Sequence, residues 1–249
     1  TTGTGGYIVN WSPTSAGIYR LTAIATDNGG VSAQSGEVLV AVIDPYEGEI
    51  DTVYGGKDFG LYLAGTEVGR FTLVKQGNTS ATLIGYSTSG TPKVYFYRGM
   101  EVDAGGTLVL RDGANSIVTG MVSPAGASGT FDNGRASFSG PVAFGNSGYR
   151  GPTGLFLGSL TGKPASVVTG IVGGDGTLTL HIKDGTADDA GAGSLGANGN
   201  FAFNLTKGSS VTGRLDPVSG FLSATVTGPI SGAALATSST STPASDGFL

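Results

Sequence analysis

The stretch SVVTGIVGGDGTLTLHIK (Ser166–Lys183) decides the fold. In its second half Leu178, Leu180 and Ile182 fall at every second position, which puts them on one face of a strand. The first half is rich in β-branched residues, and GGDG (173–176) between the halves reads as a hairpin turn, because Gly tolerates positive φ. The same unit recurs downstream. NFAFNLT (200–206) sets Phe201, Phe203 and Leu205 on one face, with turns at GANGN (196–200) and TKGS (206–209). Composition agrees: 46 of 249 residues are Gly and only 12% are charged. Gly and β-branched residues are poor helix formers. The expected class is all-β.

The chain from about Lys57 divides into two related units. GLYLAG (60–65) answers GLFLGS (154–159), ATLIGY (81–86) answers SVVTGI (166–171), and VDAGG (102–106) answers DDAGA (188–192). SIVTGMV (116–122) answers SVTGRL (210–215), and SGP (139–141) answers TGP (227–229). The units span 57–141 and 142–233. In the second, strands are expected over 154–160, 165–172, 177–183, 200–206, 209–215 and 220–227. About twelve strands in all make an antiparallel meander, closed as a barrel or stacked as a sandwich over one shared core. Gly85, Gly120, Gly170 and Gly213 lie inside strands, where a repeated glycine permits curvature.

The first segment reads differently. Strands are expected at 7–12, 18–26 and 31–43, with DNGG (27–30) as a hairpin turn. The run W-S-P-T-S-A-G-I-Y-R-L-T-A-I-A-T-D-N-G-G, Trp11 to Gly30, resembles the last strands of bacterial Ig-like and cadherin-like surface domains. The resemblance covers residues 7–43 and implies a β-sandwich in which Tyr19 stands like a tyrosine corner. Only three of about seven strands are present, so 1–44 is a partial Ig-like domain. Three completions are open. The chain starts within the domain, the missing strands come from a neighbouring subunit or the chain's own C-terminus, or the three strands pack on the second segment. The two units after it resemble, loosely, glycine-rich β-repeats of large secreted bacterial proteins, a resemblance that implies no activity.

Residues 45–56 read as a linker, and 234–249, rich in Ser, Thr and Pro, as a tail ending in Phe248 and Leu249. The net charge of −5, with no basic cluster, disfavours nucleic acid and anionic membrane surfaces. No apolar run is long enough to span a bilayer as a helix. The first residues carry neither a basic nor an apolar leader region, and read as a mature or trimmed N-terminus. The absence of Cys excludes disulfides and thiol chemistry.

Chemistry is sparse. A single histidine, His181, excludes a His-pair metal site, and its alternation with Leu180 and Ile182 turns it away from the core, to the surface. Asp184, Asp188 and Asp189 share one glycine-rich loop, too close together in sequence to flank a glycosidic bond. They and the linker carboxylates Asp44, Glu47, Glu49 and Asp51 read as turn and linker residues, with a Ca²⁺ site as the alternative. No nucleophile elbow, phosphate loop or zinc motif is present. In PKVYFYR (92–98) both faces are aromatic or apolar, which fits a strand buried on both sides or an exposed Tyr pair. Trp11, Tyr19, Tyr86, Tyr95, Tyr97, Phe248 and Leu249 are the candidate interaction residues.

The expectation is a non-enzymatic structural protein without cofactor, extracellular or on a bacterial cell surface. It is a fibre subunit joined to copies of itself, or to other domains of a larger surface protein, by strands that complete the Ig-like segment. The alternative is a polysaccharide-binding or stalk module of an adhesin or secreted enzyme.

Overall fold

The computed structural model describes residues 17–36, 38–42, 52–77, 79–113, 115–132, 134–143, 149 and 151–238. The chain forms two compact units, Thr1–Glu49 and Ile50–Leu249, and among the described residues the regular elements are all strands.

The first unit holds β1 (Gly17–Leu21), β2 (Ile24–Thr26), β3 (Ser32–Gln34) and β4 (Val38–Val42). They form one long hairpin. β1 pairs antiparallel with β4, Tyr19 opposite Val40, and β2 pairs with β3, Ala25 opposite Ala33. The expected strands 18–26 and 31–43 are thus each broken in two. DNGG makes the turn as anticipated: Asp27 Oδ1 accepts from the N–H groups of Gly29 (2.8 Å) and Val31 (2.9 Å). Gly30 has φ +82°, a conformation that favours glycine. The expected strand at 7–12 lies outside the described residues.

The second unit contains two eight-stranded meanders. Barrel 1 is closed and comprises β5 (Thr52–Leu63), β6 (Thr66–Gln76), β7 (Ser80–Ser87), β8 (Val94–Val102), β9 (Thr107–Asp112), β10 (Asn115–Ser123), β11 (Gly126–Phe131) and β12 (Ala136–Gly140). Each strand pairs with the next, and β12 returns to β5 with Phe138 opposite Leu61. The second meander comprises β13 (Gly154–Leu160), β14 (Lys163–Val172), β15 (Thr177–Asp184), β16 (Ala187–Ser194), β17 (Asn200–Asn204), β18 (Ser210–Leu215), β19 (Phe221–Thr227) and β20 (Gly232–Ser238). It closes β20 onto β13 in the same way, but no ladder joins β16 to β17. We call it barrel 2 and that gap its seam.

The all-β class stands, with one closed eight-stranded barrel and one nearly closed sheet where a barrel or a sandwich is expected. Two of the repeat anchors fall on strands that do not correspond. ATLIGY lies on the third strand of its meander against SVVTGI on the second, and SGP at the end of the eighth against TGP at the end of the seventh. Three further details differ. Among its described residues the unit has sixteen strands, eight in each meander, rather than about twelve. β16 lies in the Asp/Gly-rich stretch read as a loop. β20 occupies residues 234–238 of the expected tail, and β5 begins inside the expected linker. The meanders also do not share one core. Leu61, Phe71, Leu83, Phe131 and Phe138 fill barrel 1, whereas Phe156, Leu180, Phe201, Leu215 and Leu222 fill barrel 2. Eight strands close a barrel just wide enough for side chains to fill, so each meander buries its own apolar face.

What the barrels do share is a third cluster, made by outward-facing side chains. Val53, Val74, Ile84 and Tyr86 of barrel 1 pack against Leu155, Ile171 and Ala190 of barrel 2, with Phe96 alongside. This is the joint of the molecule. The mid-strand glycines divide by what surrounds them. Gly120 and Gly213, on the sixth strand of each barrel, lie where an added Cβ would press on backbone, 3.0 Å from Gly129 Cα and 2.7 Å from Ala224 Cα. Gly170 is hemmed in by the Leu180 and Phe156 side chains, and Gly85 has ordinary clearance. A common curvature role for all four is therefore replaced by close strand packing at two of them.

Candidate functional site

Of the candidate interaction residues, Trp11, Phe248 and Leu249 lie outside the described residues, as do Asp44, Glu47, Glu49 and Asp51. Tyr19 is placed on β1 by its backbone. The other three tyrosines belong to barrel 1, and none forms an open aromatic platform. Tyr95 and Tyr97 point inward and meet the Phe131 ring at centroid distances of 4.7 and 5.6 Å. Burial, then the Asp132 carboxylate, raises the pKa of both phenols. Tyr86 points outward but is buried in the joint, which pushes its pKa up to about 12 against the opposing pull of Arg70. PKVYFYR lies between the two readings: Tyr95 and Tyr97 face the barrel interior and Phe96 faces barrel 2, each only partly buried.

His181 corrects a second expectation. Its register is as read, facing away from Leu180 and Ile182, yet it is only 2% exposed. The outer face of β15 is covered by barrel 1, and the imidazole stacks on Phe96 with centroids 4.2 Å apart and planes 18° apart. Burial lowers its pKa to about 4. Two residues along the same face, Thr179 bonds Thr72 of β6 at 2.7 Å, hydroxyl to hydroxyl, across the joint. The Thr206 hydroxyl donates to the Ser87 carbonyl nearby.

The three carboxylates of the Asp/Gly-rich stretch do not converge. Asp184 takes Lys163 Nζ at 2.6 Å, and Asp188 pairs with Lys207. Asp189 is 1% exposed and accepts three backbone N–H groups, from Ala190 (2.9 Å), Lys207 (2.7 Å) and Ser209 (2.9 Å). With the bond from Thr206 N to Ala190 O (2.8 Å) it staples β16 to the β17–β18 turn. Further along, Phe203 lies against Gly193 where a Cβ would stand, so the middle of the seam is closed by a side chain. Among the described residues no cluster of His, Asp or Glu is arranged to hold a metal ion.

The concavities are modest. A shallow groove of about 870 Å³ runs over the outside of β17–β20, past Ala202, Thr212, Ser223 and Leu235. A cleft of about 310 Å³ at the joint is lined by Arg70, Tyr86, Thr177, Ala192, Gly193 and Ser194. In neither do a nucleophile, a base and an orienting partner converge. Among the described residues no helix is long and apolar enough to cross a membrane.

Among the described residues the least covered element is the hairpin of the first unit. Every side chain from Thr22 to Gly36 is exposed, including Ile24 at 67% and Val31 at 70%. Ladder bonds from Asp27 N to Val31 O and from Ser35 N to Ala23 O mark the inward-bonding pairs. The pairs between them alternate, so the N–H groups of Ile24 and Gln34 point outward from the two edges. Ile24 and Val31 were not singled out in the sequence. Their signal is apolar character beside DNGG.

No protein-family model matches the chain, and neither a curated protein nor a solved structure matches it.

Proposed function

We propose that the protein is a non-enzymatic structural subunit, extracellular or on a bacterial cell surface, that joins copies of itself by strand addition to the hairpin of its first unit. The observation that carries this reading is the two-stranded β2–β3 ribbon with both faces exposed and both edges offering backbone groups. An isolated two-stranded hairpin is marginal in water, and an uncovered edge is a template for another strand. Pairing there supplies the missing ladder bonds and covers Ile24 and Val31. The second unit then serves as a rigid body whose interiors are filled by side chains. The surface location follows from the resemblance of residues 7–43 to Ig-like surface domains.

The test is assembly of the full chain. Sedimentation and electron microscopy of the wild type should show larger species growing with concentration. The double variant Ile24→Lys/Val31→Lys should keep the circular dichroism of the wild type yet stay monomeric, since lysines block edge pairing. A wild type that remains monomeric at every concentration, or a double variant that assembles equally well, overturns the reading.

A further inference from the structure

The joint between the barrels is apolar in the main, yet polar groups are buried in it without partners. Thr82 on β7, Thr169 on β14 and His181 on β15 are nearly inaccessible, and Thr82 Oγ1, Thr169 Oγ1 and His181 Nδ1 make no hydrogen bond. Thr169 stands directly opposite His181 in the β14–β15 ladder, and on its other side His181 faces Ala190. Thr82 pairs with Val74 and stands next to the Ile84–Phe96 pair. The three groups thus belong to the two surfaces that meet at the joint. Buried polar groups are almost always bonded, so such a cluster calls for an explanation.

We propose that the joint is an acid-sensitive contact, in which protonation of His181 parts barrel 1 from barrel 2. An imidazole stacked on Phe96 with no acceptor at Nδ1 fits the closed joint only while it is neutral. A proton taken there becomes an N–H⁺ donor with nothing to receive it, and opening hands it to water. The charged neighbours do not provide for it. Lys183 and Lys207 oppose its charge, Asp188 and Asp189 favour it, and both carboxylates are already engaged by Lys207 or by backbone N–H groups. From barrel 1, β6 brings Arg70, which lines the joint cleft, β7 brings the Tyr86 phenol, and β8 brings Arg98, exposed, two residues beyond Phe96. None of the three supplies a carboxylate. Attraction of an imidazolium to the Phe96 ring works the other way, whereas burial is the largest influence on His181 and opposes the charge. Opening would uncover Val53, Ile84, Phe96, Leu155 and Ile171, an apolar face that the closed form hides.

The sign follows from linkage. The closed form holds His181 near a pKa of about 4, against about 6.5 when solvated. The contribution of the neutral ring to closure is full above pH ~6.5. It falls about tenfold in the closed-to-open ratio for each pH unit below that, to a plateau near 300-fold under pH ~4.

The chain has no cysteine, so a single introduced thiol reports without background. Thr82→Cys places it in the joint, where the lost hydroxyl had no bond, and Ala127→Cys places a control inside barrel 1. Labelling by a pyridyl disulfide, which reacts in acid, is measured relative to the unfolded chain at each pH. The joint thiol should become about tenfold more accessible per pH unit between about 6.5 and 4.5, while the core thiol stays protected. Adding His181→Phe, which keeps the stack but cannot take a proton, should abolish the slope. His181→Gln serves if the phenylalanine variant does not fold. A flat profile with His181 present, an unchanged slope without it, or equal exposure of the core thiol overturns the proposal.

Discussion

Replacing Asp189 by Ala tests whether barrel 2 is held shut at its seam by one carboxylate. The side chain is almost wholly buried and accepts from the N–H groups of Ala190, Lys207 and Ser209. A buried donor left without an acceptor costs ~1–3 kcal/mol. Ala190 and Ser209 are buried, whereas Lys207 N is only partly so and can turn to water. The expected loss is therefore about 2–5 kcal/mol, set mainly by two donors. At roughly 2–4 °C per kcal/mol for a unit of this size, the melting midpoint should fall by about 5–15 °C at neutral pH. Asp189→Asn keeps one acceptor but turns an NH₂ toward the remaining donors, so it should fall about half as far. Lys207→Ala is the control. It removes a pair with Asp188 whose side chains are each about a third exposed, a pairing worth less than ~1 kcal/mol. The assay is thermal unfolding followed by near-ultraviolet circular dichroism. An Asp189→Ala variant melting within about 2 °C of the wild type, or no lower than Lys207→Ala, would refute the staple.

Two further predictions rest on packing and burial. Gly158→Ala forces a Cβ onto the Leu235 carbonyl and to 2.6 Å from Ala236 Cα, at the ladder that closes barrel 2. It should cost more than ~2 kcal/mol in urea unfolding, whereas Gly85→Ala, whose new Cβ meets nothing nearer than 3.5 Å, should lie within about 1 kcal/mol of the wild type. Equal losses at both positions would refute the reading that backbone crowding, present at Gly158 and absent at Gly85, sets the cost. Tyr86, pushed up to about 12 by burial, contributes stability that is complete below pH ~10 and lost as pH rises through its folded value. Phenolate absorbance should show it ionising later than solvated tyrosines, and Tyr86→Phe should flatten the alkaline fall in stability. Ionisation of all nine tyrosines in one step near pH ~10, with the chain still folded, would contradict its burial.

The antiparallel meander was legible because its strands announce themselves one hairpin at a time, whereas barrel and sandwich stayed open alternatives and about twelve strands were expected where sixteen are found. In FLSATVT (Phe221–Thr227) every second residue is buried, and the alternation in sequence is the alternation in space. β16 was hidden for the opposite reason. ADDAGAGS has one buried Asp and two small residues where large apolar ones would mark a face. Its inward positions are filled from across the seam by Phe203 and Leu205 rather than by its own side chains. A strand whose partners bring the bulk leaves no periodic signal of its own.

The joint left a different trace. In SATLIGYS (Ser80–Ser87) every residue after the first is buried, as are the first six of TLTLHIKD (Thr177–Asp184). Each has an inner face of Ala81 and Leu83, or of Leu178, Leu180 and Ile182, and an outer face that a strand open to water would fill with charge. Instead the outer positions hold Thr82, Ile84 and Tyr86 in one strand and Thr177, Thr179 and His181 in the other. A threonine or a histidine on an outer face is as compatible with solvent as with a covered surface, so alternation alone assigned His181 to the exterior. What separates the cases is the absence of Lys and Glu from all six positions, since those residues are almost never fully buried unless paired. Outer positions without such charge on two strands of different barrels are what two surfaces that cover each other would present. Read together, they would have put His181 in a joint between two surfaces.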